Sequence, residues 1–473
     1  MSTLAQPKPL EATSLGSRPS ARAIVTSDQA ILVALLAALG VYYLAPGLLG
    51  LGTGLLVFFA LTLYRPQLSL ALVPLVAPLF FRPRVITERY HVSPAEAAIA
   101  CQVVAWVVRD GWSYIRTRRL PAIDLPQLRS LLPAIVLAAV GAAWLLVPDA
   151  SHRNVAFRDF RWTVLEPVFF FALMMRWLRT ESDIWRLVWA WLIGAALIGR
   201  EGAEQFLFGD TWTMEGVGRV TSVYPSATAF GIYVGRALPA AIVLAIFLPA
   251  ERRLWKVAAA LLAVPIGLGA LFSFARGAWI GVFVALVVVA LITRNRWLIG
   301  LLAAGLLAGV AALPFVHAER ITSMFNFDTT DNTGISRLKI WSSALRVLAD
   351  HPLMGIGQDQ FLYVDPKYGV PNIRFLTVSH PHNMLLDFWL RLGLPGLVWL
   401  LATLTYFYTQ ALKAYTRLQS AALGALALAL LASMIDFAIH GLMDMAYFSM
   451  DLALTFWLIF GLLLALKRQA PLV

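Results

Sequence analysis

The chain has 473 residues, 60% of them hydrophobic and only 14% charged, and its mean hydropathy is +0.74. A water-soluble core of this size uses far less apolar sequence, so the composition excludes a soluble globular enzyme and implies a polytopic membrane protein. The formal charge of +12 comes with no aromatic-interleaved basic patch, and it reads as basic loops drawn to anionic lipid rather than as nucleic-acid binding.

Residues 1–28 are rich in Ser, Pro and Ala, carry Arg18 and Arg22 and lack an apolar core. They are therefore no secretory signal and are expected to form a disordered cytoplasmic tail. From Ile31 onward, windows approaching the roughly 20 apolar residues needed to cross hydrocarbon recur with short breaks, about fourteen in all. They lie at 30–48, 51–63, 68–81, 94–108, 131–147, 163–178, 183–198, 227–249, 254–272, 277–292, 297–315, 384–408, 421–442 and 446–466. The third, fourth and sixth are short enough for half-helices or tilted hairpins. The expected fold is an all-α polytopic transmembrane helical bundle of about 12–14 spans. Its parts are a first bundle at 29–315, a large outer loop at 316–383, C-terminal spans at 384–466 and a cytoplasmic tail at 467–473.

If the spans simply alternate, Arg252, Arg253 and Lys256, Arg294 and Arg296, Lys413 and Arg417, and Lys467 and Arg468 share one side, which the positive-inside rule makes the cytoplasm. Residues 109–130, with Arg109, Arg116, Arg118, Arg119 and Arg129, fall there too. The opposite face carries 82–93, 148–162, 199–226 and 316–383. Within the last of these, "SRLKIWSSALRVLADHP" spaces Leu338, Trp341, Leu345 and Leu348 helically, so an amphipathic helix is expected to lie over the bundle as a lid or wall. No internal repeat supports the inverted architecture of many transporters. The single Cys101 excludes an intramolecular disulfide.

Arginines on the outer face run against the positive-inside expectation: Arg82, Arg84, Arg89, Arg153, Arg158, Arg161, Arg200, Arg219, Arg276 and Arg337. A planar guanidinium suits phosphate bidentately, so such a ring fits a lipid-linked pyrophosphate. Each arginine is alternatively a loop residue paired with Asp149, Asp159, Glu201, Glu204, Asp210 or Glu215. Arg276 in "FSFARGAWIG" sits between two strongly apolar windows beside Gly277, where a tight turn aims it into a mouth of the bundle or lets it snorkel. Arg219 precedes Pro225 and the small residues that open the next span, and a helix N-terminus is itself an anion site.

Of seven histidines, only His440 lies within a span. His380 and His382 precede the helix that starts near Met384, and either could accept a proton or be an ordinary loop residue. Asp387 and Arg391 are spaced to pair on one helix face. Asp436, His440 and Asp444 recur every four residues. One helix offers too few ligands for a metal at that spacing, so a hydrogen-bonded stripe inside the bundle is expected. The chain lacks an Asp-X-Asp pyrophosphate motif, and "DTTDN" at 328–332 is a weak candidate for calcium that reads better as a solvated turn. Neither a metal nor another cofactor is expected.

"FSFARGAWIG", "SRLKIWSSALRVLADHPLMGIGQDQF" and "HPHNMLLDFWLRLGLPGL", in that order around a large outer loop, resemble the O-antigen ligase and polymerase family, membrane glycosyltransferases of a GT-C-like kind. The upstream "GRVTSVYPSATAFGIYVGRALP" is similar to a further family segment, with Ser226 where Asn is usual. The resemblance implies that His382, beside Asn383, is the catalytic histidine and that Arg276 and Arg219 hold the donor pyrophosphate. It puts Arg337 on the closing helix, with Arg82, Arg84 and Arg89 adding to the phosphate pocket and His380 supporting. It further implies transfer of a glycan from undecaprenyl pyrophosphate to an acceptor hydroxyl such as lipid A-core, at the periplasmic face of the bacterial inner membrane. Ligase is preferred to polymerase, and a transporter or flippase of an anionic solute or lipid is the reading from another class.

Overall fold

A computed structural model describes residues 27–88, 90–119, 125–148, 150–214, 217–312, 333–364, 368–369 and 379–469. The tail, Arg89 and the "DTTDN" turn lie outside these residues. The molecule is an all-α polytopic helical bundle. Its main helices are α1 Asp28–Leu44, α2 Gly47–Tyr64, α3 Pro94–Thr117, α4 Leu125–Ala143, α5 Arg153–Phe160, α6 Glu166–Trp177, α7 Glu181–Phe208 and α8 Ala227–Phe247. They continue with α9 Arg253–Phe272, α10 Arg276–Thr293, α11 Arg296–Ala312, α12 Thr333–Asp350, α13 Met384–Arg417, α14 Ala421–Gly441 and α15 Met450–Gln469. Short antiparallel pairs, β1 Arg84–Val85 with β2 His91–Val92 and β3 Trp212–Met214 with β4 Val217–Arg219, occupy the loops.

Each of the fourteen apolar windows contains helix among the described residues. Among the described residues nine helices are long and apolar enough to cross a membrane, and three shorter apolar ones accompany them at Asp28–Leu44, Pro66–Phe81 and Arg296–Ala308. The third window is a broken run, Pro66–Ser69, Leu72–Val76 and a 3₁₀ turn Ala77–Phe81, as its prolines dictate. The sixth is the short α6, joined to α5 through a π-turn at Arg161–Leu165. The fourth corrects the expectation of a half-helix: α3 runs 24 residues, because a capping box between Ser93 and Glu96 starts it and its polar C-terminal half continues past the apolar window.

Burial separates the core from the rim. The Met450–Arg468 window is 94% buried and the Ala421–Gly441 window 83%, so α15 and α14 form the centre. The Gly47–Tyr64 and Leu128–Leu146 windows are each 17% buried, which leaves their apolar side chains to lipid. Around α14 pack α8, α10 and α13. Close approach of α10 requires glycine: a Cβ on Gly277 would lie 2.6 Å from the His440 ring, and one on Gly281 2.3 Å from Asp436 Oδ1.

α13 breaks at Gly393, whose φ of 65° with ψ of −170° is a conformation open to glycine. The outer loop docks at this break, where Leu394 N donates to Leu353 O at 2.9 Å and Ile356 N to Leu390 O at 2.7 Å. Arg391 pairs with Asp387 at 2.8 Å, as its spacing predicts, and also with Asp159 at 2.8 Å and Asp359 at 3.5 Å. It thereby bolts α13 to α5 and to the loop. The outer-loop helix forms, but its buried face differs from the expected one. Ala344, Val347 and Leu348 pack with Tyr368 and Leu390 and Ile340 is buried, while Leu338 and Leu345 are exposed. The α13 surface beneath α12 selects the face that the small Ser343 and Ala344 allow to approach.

Candidate active site

The residues before α13 are held in an irregular but fully specified turn. Asn383 caps the helix, its Oδ1 accepting from Leu385 N at 3.0 Å and Leu386 N at 3.2 Å, while its Nδ2 donates to Leu442 O at 3.0 Å. One side chain thus fastens the α13 entrance to the turn after α14. His382 then takes a left-handed backbone, φ 50°, which is uncommon outside glycine and costs energy that neighbouring contacts must offset. Ser222 and Phe274, in the two other loops of this region, share that conformation with φ of 50° and 48°.

His382 Nδ1 lies 2.9 Å from Asp444 Oδ1, and Arg337 Nη2 donates to Asp444 Oδ2 at 2.9 Å. His380 Nε2 approaches the same Oδ1 at 3.6 Å, and the two imidazole rings stand 4.2 Å apart. A carboxylate only accepts, so Asp444 places the His382 proton on Nδ1 and leaves Nε2 as the acceptor in the neutral ring. Asp444 is buried, which alone would raise its pKa. The hydrogen bonds and charges of His380 and His382 outweigh burial and hold the carboxyl well below its ordinary value.

Asp444 is the residue that sequence reasoning misplaced. Its spacing from His440 and Asp436 reads as a helical stripe, but α14 ends at Gly441 and Asp444 stands in the following turn. Gly441 is the stop signal that could have revealed this. Nor is the remaining stripe hydrogen-bonded, since among the described residues neither carboxylate oxygen of Asp436 nor His440 Nδ1 has a partner.

The arginines come from separate loops. Arg219 at the end of β4 donates from Nε to Ser273 O at 2.9 Å and reaches Thr228 Oγ1 at 3.4 Å. Arg276 opens α10 three residues beyond Ser273. The turn that accepts the Arg219 guanidinium therefore leads straight into the helix that Arg276 opens, and a helix N-terminus favours an anion through its free N–H groups and dipole. Gly277, next in the chain, abuts His440, and His440 O accepts from Asp444 N at 3.0 Å, so this turn faces the end of α14 where His382 is held. Ser226 caps α8 by accepting from Ala229 N at 3.1 Å. Serine and asparagine cap helices comparably, so the departure from the family residue keeps the local geometry.

Other predicted residues have local partners. Arg82 pairs with Glu201 at 3.0 Å and reaches Ser222 O at 3.4 Å, which keeps it on this face. Arg84 donates to Tyr43 O at 2.9 Å and Gly47 O at 3.3 Å, closing the α1–α2 turn. Arg158 pairs with Asp359, Arg161 with Glu96 and Glu166, and Arg200 with Glu204. As for a metal, His380, His382 and Asp444 offer three ligand atoms within 4.8 Å of one another. Arg337 already supplies positive charge to that carboxylate.

Residues 260–401 match the family model described as O-antigen ligase. The chain is a multi-pass membrane protein with an O-antigen ligase-like segment running from α9 through the first half of α13. This O-antigen ligase segment contains Arg276, Arg337 and His382, while Arg219 and Asp444 lie outside it. It supports an enzyme of the ligase or polymerase kind that uses a lipid-linked glycan and a glycan acceptor. No relative among curated proteins matches significantly.

Proposed function

We propose that the chain transfers a glycan from undecaprenyl pyrophosphate to an acceptor hydroxyl, without a metal, acting as a ligase toward lipid A-core. The observation that carries this reading is the His382–Asp444–Arg337 constellation beside the Arg219 and Arg276 turn. His382 Nε2 takes the acceptor hydroxyl proton as that oxygen bonds to the anomeric carbon of the donor sugar. The bond from that carbon to the pyrophosphate oxygen breaks with inversion. Arg276 and Arg219, at the α10 N-terminus, stabilise the charge that builds on the departing pyrophosphate. Arg337 is engaged by Asp444, so we assign it to holding that carboxylate on the lid helix, while Arg82 borders the same face.

The basic loops at the other end of the bundle support a site at the periplasmic surface of the inner membrane, with the polyprenyl tail in the bilayer. The test uses protein in nanodiscs with EDTA, a synthetic undecaprenyl pyrophosphate-linked glycan and candidate acceptors. Transfer that survives chelation and is lost in His382→Ala supports the reading. A ladder of lengthening lipid-linked products would identify a polymerase instead. If neither lipid A-core nor a second donor ever accepts sugar, the enzyme reading fails and transport of the donor becomes the reading to test.

A further inference from the structure

At the end of the bundle away from His382, a cavity of about 1430 Å³ opens among α2, α3, α6 and α7. Its walls carry seven arginines against three aspartates. The aspartates are spoken for: Asp28 pairs with Arg65 and Arg186, Asp110 with Arg176, and Asp183 with Arg186. Arg109 donates to Leu63 O, and Arg116 lies over the Trp112 ring at 4.8 Å. Among the described residues Arg109, Arg116 and Arg119 have no carboxylate partner. The cavity therefore keeps an excess of four positive charges.

Two helices measure its separation from the active site. Asp183 lies in the first turn of α7 at the cavity, while Glu201 on the same helix pairs with Arg82 at the other end. Eighteen residues of helix at 1.5 Å each are about 27 Å, close to the thickness of the hydrocarbon core. α3 likewise starts beside β2 and ends with Arg116 and Thr117 in the cavity wall. The lining is amphiphilic, with Val108, exposed Trp112 and Trp177 between the arginines. Aromatic rings and guanidinium groups at helix ends one bilayer thickness from the catalytic end form the chemistry that meets lipid phosphate at an interface.

We propose that this cavity is a binding site for the phosphate of an anionic lipid headgroup in the leaflet opposite the active site. Apolar Val108 and Trp112 border the acyl chain, and Arg109, Arg116 and Arg119 hold the phosphate.

The test reconstitutes the full chain in phosphatidylcholine nanodiscs containing phosphatidylglycerol and counts retained lipid by native mass spectrometry after extraction into detergent. Wild type is expected to retain phosphatidylglycerol over phosphatidylcholine. In Arg109→Gln/Arg116→Gln/Arg119→Gln that retention should fall roughly a hundredfold, at about fivefold per charge near an anionic surface. It should persist in Arg276→Gln, which separates this site from the proposed catalytic one. A second measurement needs no variant: photoreactive phosphatidylglycerol should label peptides covering 103–119 and 176–186. Equal retention in wild type and triple variant, or labelling spread evenly over the bundle, overturns the proposal. So does arginine-dependent binding of inorganic phosphate without retention of phosphatidylglycerol.

Discussion

Asp444→Asn isolates the dyad from the rest of the site, because the side chain keeps its shape and loses its charge. In the native protein one carboxylate accepts from His382 Nδ1 and from Arg337, each at 2.9 Å. A hydrogen bond to a charged group contributes about 1.5–3 kcal/mol. The amide leaves one oxygen to share and presents an N–H₂ group to the other partner. Facing His382, that group donates to Nδ1 and moves the ring proton to Nε2, so the base is lost. Facing Arg337, it opposes a donor with a donor and releases the lid helix. Either outcome removes about 1.5–3 kcal/mol, or roughly 10–10² in rate. The assay is the initial rate of glycan transfer in nanodiscs, with thermal unfolding in detergent measured alongside. Asp444→Asn that unfolds normally yet keeps more than about a third of wild-type activity, a change under 1 kcal/mol, would refute the claim that Asp444 sets the His382 tautomer.

Three further outcomes follow from the same geometry. Arg276→Ala, which removes the proposed charge contact to the leaving pyrophosphate, should lower the transfer rate by about 10²–10³ in protein that still folds. The Asp444 carboxyl titrates below its ordinary value, so its stabilisation is present above about pH 4 and lost as pH falls further. The difference in unfolding temperature between wild type and Asp444→Asn should accordingly shrink as pH falls below that carboxylate range. Gly281→Ala puts a methyl group 2.3 Å from Asp436 Oδ1 and should cost about 1–3 kcal/mol, seen as a lower unfolding temperature. Combining it with Asp436→Ala should recover most of that loss.

Hydropathy locates helices well because each span must satisfy its backbone internally, and each of the fourteen apolar windows contains helix among the described residues. It is silent on how helices pair, so the Gly281–Asp436 approach is visible only once α10 and α14 are side by side. Local pattern also misleads where two faces compete. Leu338 and Leu345 carry the periodicity of α12, yet Ser343 and Ala344 permit the closer contact and are buried. The histidine is legible from its place before a helix, whereas its carboxylate partner is 62 residues away in a turn that spacing alone reads as helix.

The positions of the charges separate chemistry from scaffolding. Arg236 and Arg391 lie within helices, deep in the bundle, where an unpaired cation is expensive. Both are engaged by the protein itself: Arg236 donates from its two Nη atoms to Leu452 O and Ala446 O at 3.0 and 2.6 Å, its Nε alone lacking a partner among the described residues, and Arg391 is enclosed by three carboxylates. A substrate phosphate gains little from groups already so engaged. Arg219, Arg276 and His382 stand on a strand end, a helix start and a loop, outside the helix interiors. The interior arginines thus hold α13 and α15 in place, and the proposed anion site draws on the terminal ones. Arg391→Ala should therefore fail as a fold, through loss of thermal stability, before it can be judged as a catalyst.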